Sequence, residues 1–121
     1  MPSAAIPDAQ DLLRIERTFW TGGPEAYLQH ADERCLVVFA ETAQTIARED
    51  IAKTAEAGRW RDVLMEEKGL IAPTPDCVAL SYEVKAKRAD GAAHHAYASS
   101  LYVRRRGGWK LAFHQQTAIG G

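Results

Sequence analysis

The chain has 121 residues, with 15 Lys or Arg against 16 Asp or Glu, which leaves room for one domain near neutrality and excludes two. Its 46% hydrophobic and 26% charged residues suit a globular domain with a modest core, not a disordered or fibrous chain. A formal net charge of -1 gives no basic excess to hold nucleic acid or an anionic membrane, so neither is an expected partner.

Met1 to Pro7 has neither a basic start nor an apolar run long enough for secretion, and no stretch of about 18 uninterrupted apolar residues occurs. A soluble cytoplasmic protein is expected. Cys35 and Cys77 lie inside apolar segments and form no close-spaced pair, which favours free thiols in a reducing compartment.

Asp8 precedes a segment in which Leu12, Ile15 and Phe19 repeat at helical spacing with Leu13 and Trp20 on the adjoining stripe, and Gly22-Gly23 follows. That pattern predicts an amphipathic first helix. Pro24 can open a second, shorter helix through Ala26, Tyr27, Leu28 and Ala31. The period then changes. Cys35 to Ala40 reads as a strand, Glu41 to Ala47 as an extended excursion, and Arg48 or Glu49 opens a third helix that runs through Ala55 and closes at Gly58.

From Trp60 onward, apolar and alternating stretches are separated by turn signals at Lys68-Gly69, Ala72 to Asp76, Ala89-Asp90-Gly91 and Arg106-Gly107-Gly108. They predict an antiparallel meander. Val78, Leu80, Tyr82 and Val84 alternate with Ser81, Glu83, Lys85 and Lys87, so one face of that strand meets a core. Helices in front and strands behind specify an α+β fold in which a curved sheet covers its apolar face with the first helix. Such a cone can enclose a blind apolar cavity, a usual place for a small molecule.

This order of elements, together with the ending from Ser99 to Thr117, with its Gly107-Gly108-Trp109 hairpin and its final His114-Gln115-Gln116-Thr117, resembles the nuclear transport factor 2-like superfamily. More narrowly, it is similar to the bacterial branch related to the SnoaL-like proteins and to the association domain of the calmodulin-dependent kinase. The resemblance runs from about Asp8 to Thr117 within a single domain spanning 1–121. It implies a cone-shaped, cystatin-like roll and a homodimer that pairs sheets back to back. It does not imply one activity, because the superfamily hosts isomerases, dehydratases, cyclases, transport factors and assembly domains. The ketosteroid isomerases of this superfamily use a carboxylate base on the first strand and a Tyr on the first helix. Here Leu36, Val37, Val38 and Phe39 occupy the strand positions and Ile15 and Glu16 the helix position, so that machinery does not transfer.

Only one of the adjacent pair His94 and His95 can enter the cone. His95 is the expected one, because it shares a face with Tyr97, Ser99, Leu101 and Val103. With Tyr82 beside it, His95 forms the candidate acid-base pair of a cofactor-independent isomerase, dehydratase or cyclase. Trp20, Tyr27, His30, Tyr82, His95 and Tyr97 are the candidate lining of a site for a small apolar or aromatic molecule. The plainer alternative for each is helix-to-sheet packing or a satisfied partner in the sheet, which would leave a dimeric interaction domain without a ligand. No Cys-x-x-Cys, His-x-x-x-His, Gly-x-Gly-x-x-Gly or Gly-x-Ser-x-Gly spacing occurs, so no metal, cofactor or nucleotide is expected. The inward parity of His114 and Gln116 is open, since a bulge would change it. Met65, Tyr102 and Phe113 are the candidate residues of the sheet face covered in a dimer.

Overall fold

A computed structural model describes residues 6–119. Helix α1 (Ala9–Thr21) starts at Asp8, whose carboxylate accepts the Asp11 amide at 2.8 Å while the Asp11 side chain accepts the Asp8 amide at 3.2 Å. This reciprocal cap satisfies two of the amides that a helix start leaves unpaired. Helix α2 (Pro24–His30) follows, with Pro24 in its first turn. Strands β1 (Ala31–Phe39) and β2 (Thr42–Ala47) form an antiparallel hairpin, so the extended excursion is a second strand. Helix α3 (Arg48–Thr54) then leads to β3 (Trp60–Thr74), β4 (Cys77–Arg88), β5 (Ala93–Arg105) and β6 (Gly108–Ala118).

The six strands lie in the order β2-β1-β6-β5-β4-β3. The last four form the expected antiparallel meander, and β1 joins it by parallel pairing with β6. Lys68-Gly69 is not a turn. It lies inside the long strand β3, where the register with β4 shifts between Glu67 and Gly69. A bulge absorbs the glycine and bends the strand without ending it. Two other glycine signals are real turns: Gly91 at φ 93° and Gly108 at φ 115° adopt backbone angles that a side chain would strain.

The sheet's inner face packs on α1 through Val78, Leu80, Tyr82 and Val84 of β4 and Ala96, Ala98, Ser100 and Tyr102 of β5, all at most 1% exposed. From α1 come Leu12, Glu16 and Trp20. Cys35, on β1, is a buried free thiol donating to the Leu111 carbonyl at 2.9 Å, and Cys77 is also free. Among the described residues, no helix is long and apolar enough to cross a membrane.

The outer face carries an apolar row set by register. Leu36 pairs with Phe113, Phe113 with Leu101, Leu101 with Ala79, and Ala79 with Ile71, so five apolar residues run across five strands. Leu36 is 44% and Ile71 63% exposed. Of the three residues expected on this face, only Phe113 lies there. Tyr102 is fully buried inside, and Met65 pairs with Val84 on the inner side and packs on the core.

Candidate functional site

The centre of the cone is a carboxylate. Glu16 follows Leu12 by four residues and precedes Trp20 by four, so it sits in the middle of the apolar stripe of α1. It is 0% exposed. Three hydroxyls from the sheet point at it: Tyr82 donates to Oε1 at 2.6 Å, Ser100 donates to Oε1 at 3.0 Å, and Tyr102 donates to Oε2. An ionised carboxylate only accepts hydrogen bonds, so a ring of three donors is its natural complement. Burial, reinforced by the Glu16 charge, holds the Tyr82 and Tyr102 hydroxyls well above the usual phenol range. Both therefore keep their protons and donate them.

The network extends in two directions. On one side the Trp20 indole N–H donates to the Tyr82 hydroxyl at 3.0 Å. On the other, Ser100 Oγ lies 2.7 Å from His114 Nδ1, His114 Nε2 lies 3.0 Å from Gln116 Nε2, and Gln116 Oε1 lies 3.1 Å from His94 Nε2. These contacts assign the tautomers. Ser100 spends its proton on Glu16, so His114 must donate from Nδ1; its Nε2 then accepts from Gln116, whose oxygen accepts from His94 Nε2–H. Every donor in the chain therefore points toward Glu16. Burial keeps the His114 ring below its ordinary pKa of 6.5, against the pull of Glu16, which fits the neutral ring this pattern needs.

His94 ends the chain at the half-buried edge of the cone. Its ring forms a three-ring cluster with two indoles, 5.8 Å from Trp20 and 5.0 Å from Trp60, which lie 5.3 Å from each other. No described residue partners its Nδ1. Phe39 flanks the other imidazole, 6.0 Å from His114.

Of the six residues expected to line the site, the structure brings three inside. Trp20 and Tyr82 belong to the network, and Tyr27 packs 4.7 Å from Phe19 with its hydroxyl pushed up to about 12, chiefly by burial and next by Glu16. His30 stays at the periphery, edge-on to Phe19 at 6.2 Å. His95 and Tyr97 are on the outer face, which corrects their expected place at the cavity floor. Tyr97 is 45% exposed, and His95 Nε2 meets Glu83 at 2.6 Å, with Lys68 3.4 Å from the same carboxylate. The reason is steric. The bulky Leu12 and Trp20 of α1 need small residues on the facing strand, so Ala96, Ala98 and Ser100 turn inward and the set with His95, Tyr97 and Leu101 turns out.

His114 and Gln116 do face inward. The register between β5 and β6 shifts between Leu101 and Tyr102, so Leu111 faces Tyr102 while Phe113 faces Leu101, and Ala112 is the extra residue. This bulge lets Leu111 and His114 both turn toward the core. The interior around Glu16 thus carries a hydrogen-bonded polar network. Two grooves open elsewhere: one of about 450 Å³ between α1 and β3, and one of about 630 Å³ beside the β5–β6 hairpin.

No protein-family model and no curated protein sequence matches the chain. Solved structures do. A protein from Rhodospirillum rubrum, described as NTF2-like and of unknown function in nutrient uptake, superposes with a TM-score of 0.77 at 14% identity, over 94% of this chain and 100% of that one. An NTF2-like protein of unknown function from Prochlorococcus gives 0.74 at 11% identity, over 96% of each chain. A protein from Exiguobacterium sibiricum, provisionally described as a calcium/calmodulin-dependent kinase II association domain, gives 0.69 at 17% identity, over 98% and 99%. At these identities the likeness is one of architecture: three helices against a curved, open six-stranded sheet. The chain has the nuclear transport factor 2-like fold.

Proposed function

We propose that this domain binds a small, flat, partly polar molecule at the edge of the cone formed by Trp20, Trp60 and His94. The observation that carries the reading is the unpartnered Nδ1 of His94, whose ring packs against two touching indoles while its Nε2 is fixed by Gln116. The half-buried Trp60 indole, backed by the buried Trp20, supplies the apolar contact that an aromatic ligand needs, and a fixed imidazole supplies one oriented polar contact. The buried carboxylate supports the same reading. Replacing such a group by a well-packed apolar residue is often neutral or stabilising, so a core serving stability alone has little use for it. Here Glu16 orients the chain that ends on His94.

The test is a fluorescence titration with planar hydroxy- and oxo-aromatic compounds, using Trp20 and Trp60 as reporters. A saturable change that weakens ~10-fold in His94→Ala and is untouched in His95→Ala supports the assignment. Equal binding by both variants, or no response to any compound, refutes it. If the domain also turns its ligand over as an isomerase, dehydratase or cyclase, His94 takes the proton-carrying place expected of His95. Solvent deuterium appearing in the ligand would then separate turnover from binding.

A second reading concerns assembly, and the apolar row on the outer face favours it. A homodimer burying Leu36, Phe113, Leu101, Ala79 and Ile71 would cover a surface that water otherwise meets. A stable pair needs ~800 Å² from each partner. The row lies in the middle of the sheet, where two-fold pairing would place it against its own copy.

A further inference from the structure

We propose a second ligand site, separate from the cone: the groove beside the β5–β6 hairpin binds a small molecule bearing a phosphate or several carboxylates. The groove has a volume of about 630 Å³, and five cations line it: Arg34, Arg48, Arg105, Arg106 and Lys110. Asp32 and Glu33 are the two carboxylates among its walls. The whole chain carries a net charge of -1, so this concentration of positive charge is local and not a consequence of composition.

The cations are differently committed. Arg105 grips Asp32 with Nε at 3.1 Å and Nη2 at 2.8 Å, and that pairing holds the Asp32 carboxyl below its usual range. One wall carboxylate is thus already neutralised, and one guanidinium is fixed in place. Lys110 Nζ donates to the Gln29 carbonyl at 2.6 Å, a neutral acceptor that positions the ammonium without cancelling it. Arg48 leans outward on Glu49 at 3.0 Å. Arg34 and Arg106 have no ion-pair partner among the described residues. With Asp32 matched by Arg105 and Arg48 by Glu49, three cations face one remaining carboxylate, Glu33.

Charge alone would suit any anion, and the lining narrows the class. Guanidinium forks match the planar, paired oxygens of phosphate and carboxylate. No aromatic side chain lines the groove, so it offers no surface on which a nucleobase could stack. A concave site of this volume is the size of a small metabolite, not of a nucleic-acid backbone. The ligand is therefore a compact polyanion without a base, free in solution.

Calorimetric titration of the intact protein with pyrophosphate and with citrate at low ionic strength tests this. Saturable binding should weaken as NaCl rises and fall ~10-fold or more in Arg34→Glu/Arg106→Glu. Arg61→Glu/Lys87→Glu makes the same charge change at the other end of the sheet and should bind as the parent does. Both pairs are exposed, and circular dichroism checks that each folds. Absence of binding, equal loss in the two double variants, or binding only to phosphatidic acid vesicles and not to either soluble anion would overturn the proposal.

Discussion

Tyr102→Phe removes one oxygen from a fully buried side chain and leaves its ring in place, so it opens no cavity and isolates a single hydrogen bond. That bond is the one contact from a described donor to Glu16 Oε2, whereas Oε1 is served by both Tyr82 and Ser100. A hydrogen bond to a charged group contributes ~1.5–3 kcal/mol, and orphaning a buried carboxylate oxygen places the cost at the upper end of that range. With a urea m-value of ~1–3 kcal/mol/M for a small domain, the unfolding midpoint should fall by roughly 1–3 M. Tyr97→Phe is the matched control. Its ring is 45% exposed on the outer face, and it should stay within ~0.5 kcal/mol of the parent. Urea melts followed by circular dichroism and by tryptophan fluorescence would measure both. Equal midpoints for the two variants would refute a donor ring around a charged Glu16.

Stability should fall as pH drops below about 6.5, because the unfolded chain protonates His114 before the folded one does. His30 is shifted in the same direction, by burial first and Lys110 second, so His114→Gln should remove only part of the slope and His30→Gln/His114→Gln most of it. Leu101→Lys at the centre of the outer row should convert a dimer to monomer in sedimentation experiments without lowering the melting temperature of the monomer; a parent that sediments as a monomer at high concentration would refute the pairing. Gly108→Ala forces a side chain into the positive-φ region and should cost ~1–2 kcal/mol in urea unfolding, with Gly107→Ala costing less.

The fold was legible because its signals are local. The Asp8 cap, the 3.6-residue stripe of α1, the alternation of β4 and the turn glycines at Gly91 and Gly108 each report on a few neighbouring residues. The site was not legible, for two physical reasons. One is parity: the choice between His94 and His95 depends on how much room α1 leaves, which is a property of packing between distant segments. The other is that Glu16 counts as a polar residue on a helix surface until its neighbours are known. One signal was available, since a carboxylate at four-residue spacing between Leu12 and Trp20 contradicts the apolar stripe on which both lie. The parity of Gln116 and His114 rested on the bulge at Ala112, which no local pattern announces.

Whether the network acts as a unit can be separated from whether it is merely buried. Glu16→Leu deprives the Tyr82, Ser100 and Tyr102 hydroxyls of a common acceptor, and each buried donor left unsatisfied costs ~1–3 kcal/mol. Ser100 can donate to His114 Nδ1, 2.7 Å away, only once that ring changes tautomer and the Gln116 amide turns over, and Tyr102 has no other partner among the described residues. Tyr102→Phe should therefore cost ~1.5–3 kcal/mol in the parent and nothing, or slightly stabilise, in the Glu16→Leu background. The same cycle run with Tyr97→Phe should show no coupling. If Tyr102→Phe costs as much without Glu16 as with it, the two side chains are neighbours without mutual dependence, and the chain from Glu16 to His94 would lose its anchor as a functional device. If the coupling is present, ligand binding by the Glu16→Leu/Tyr102→Phe double variant becomes the decisive measurement once circular dichroism shows it folded, because His94 has there lost the oriented chain behind it.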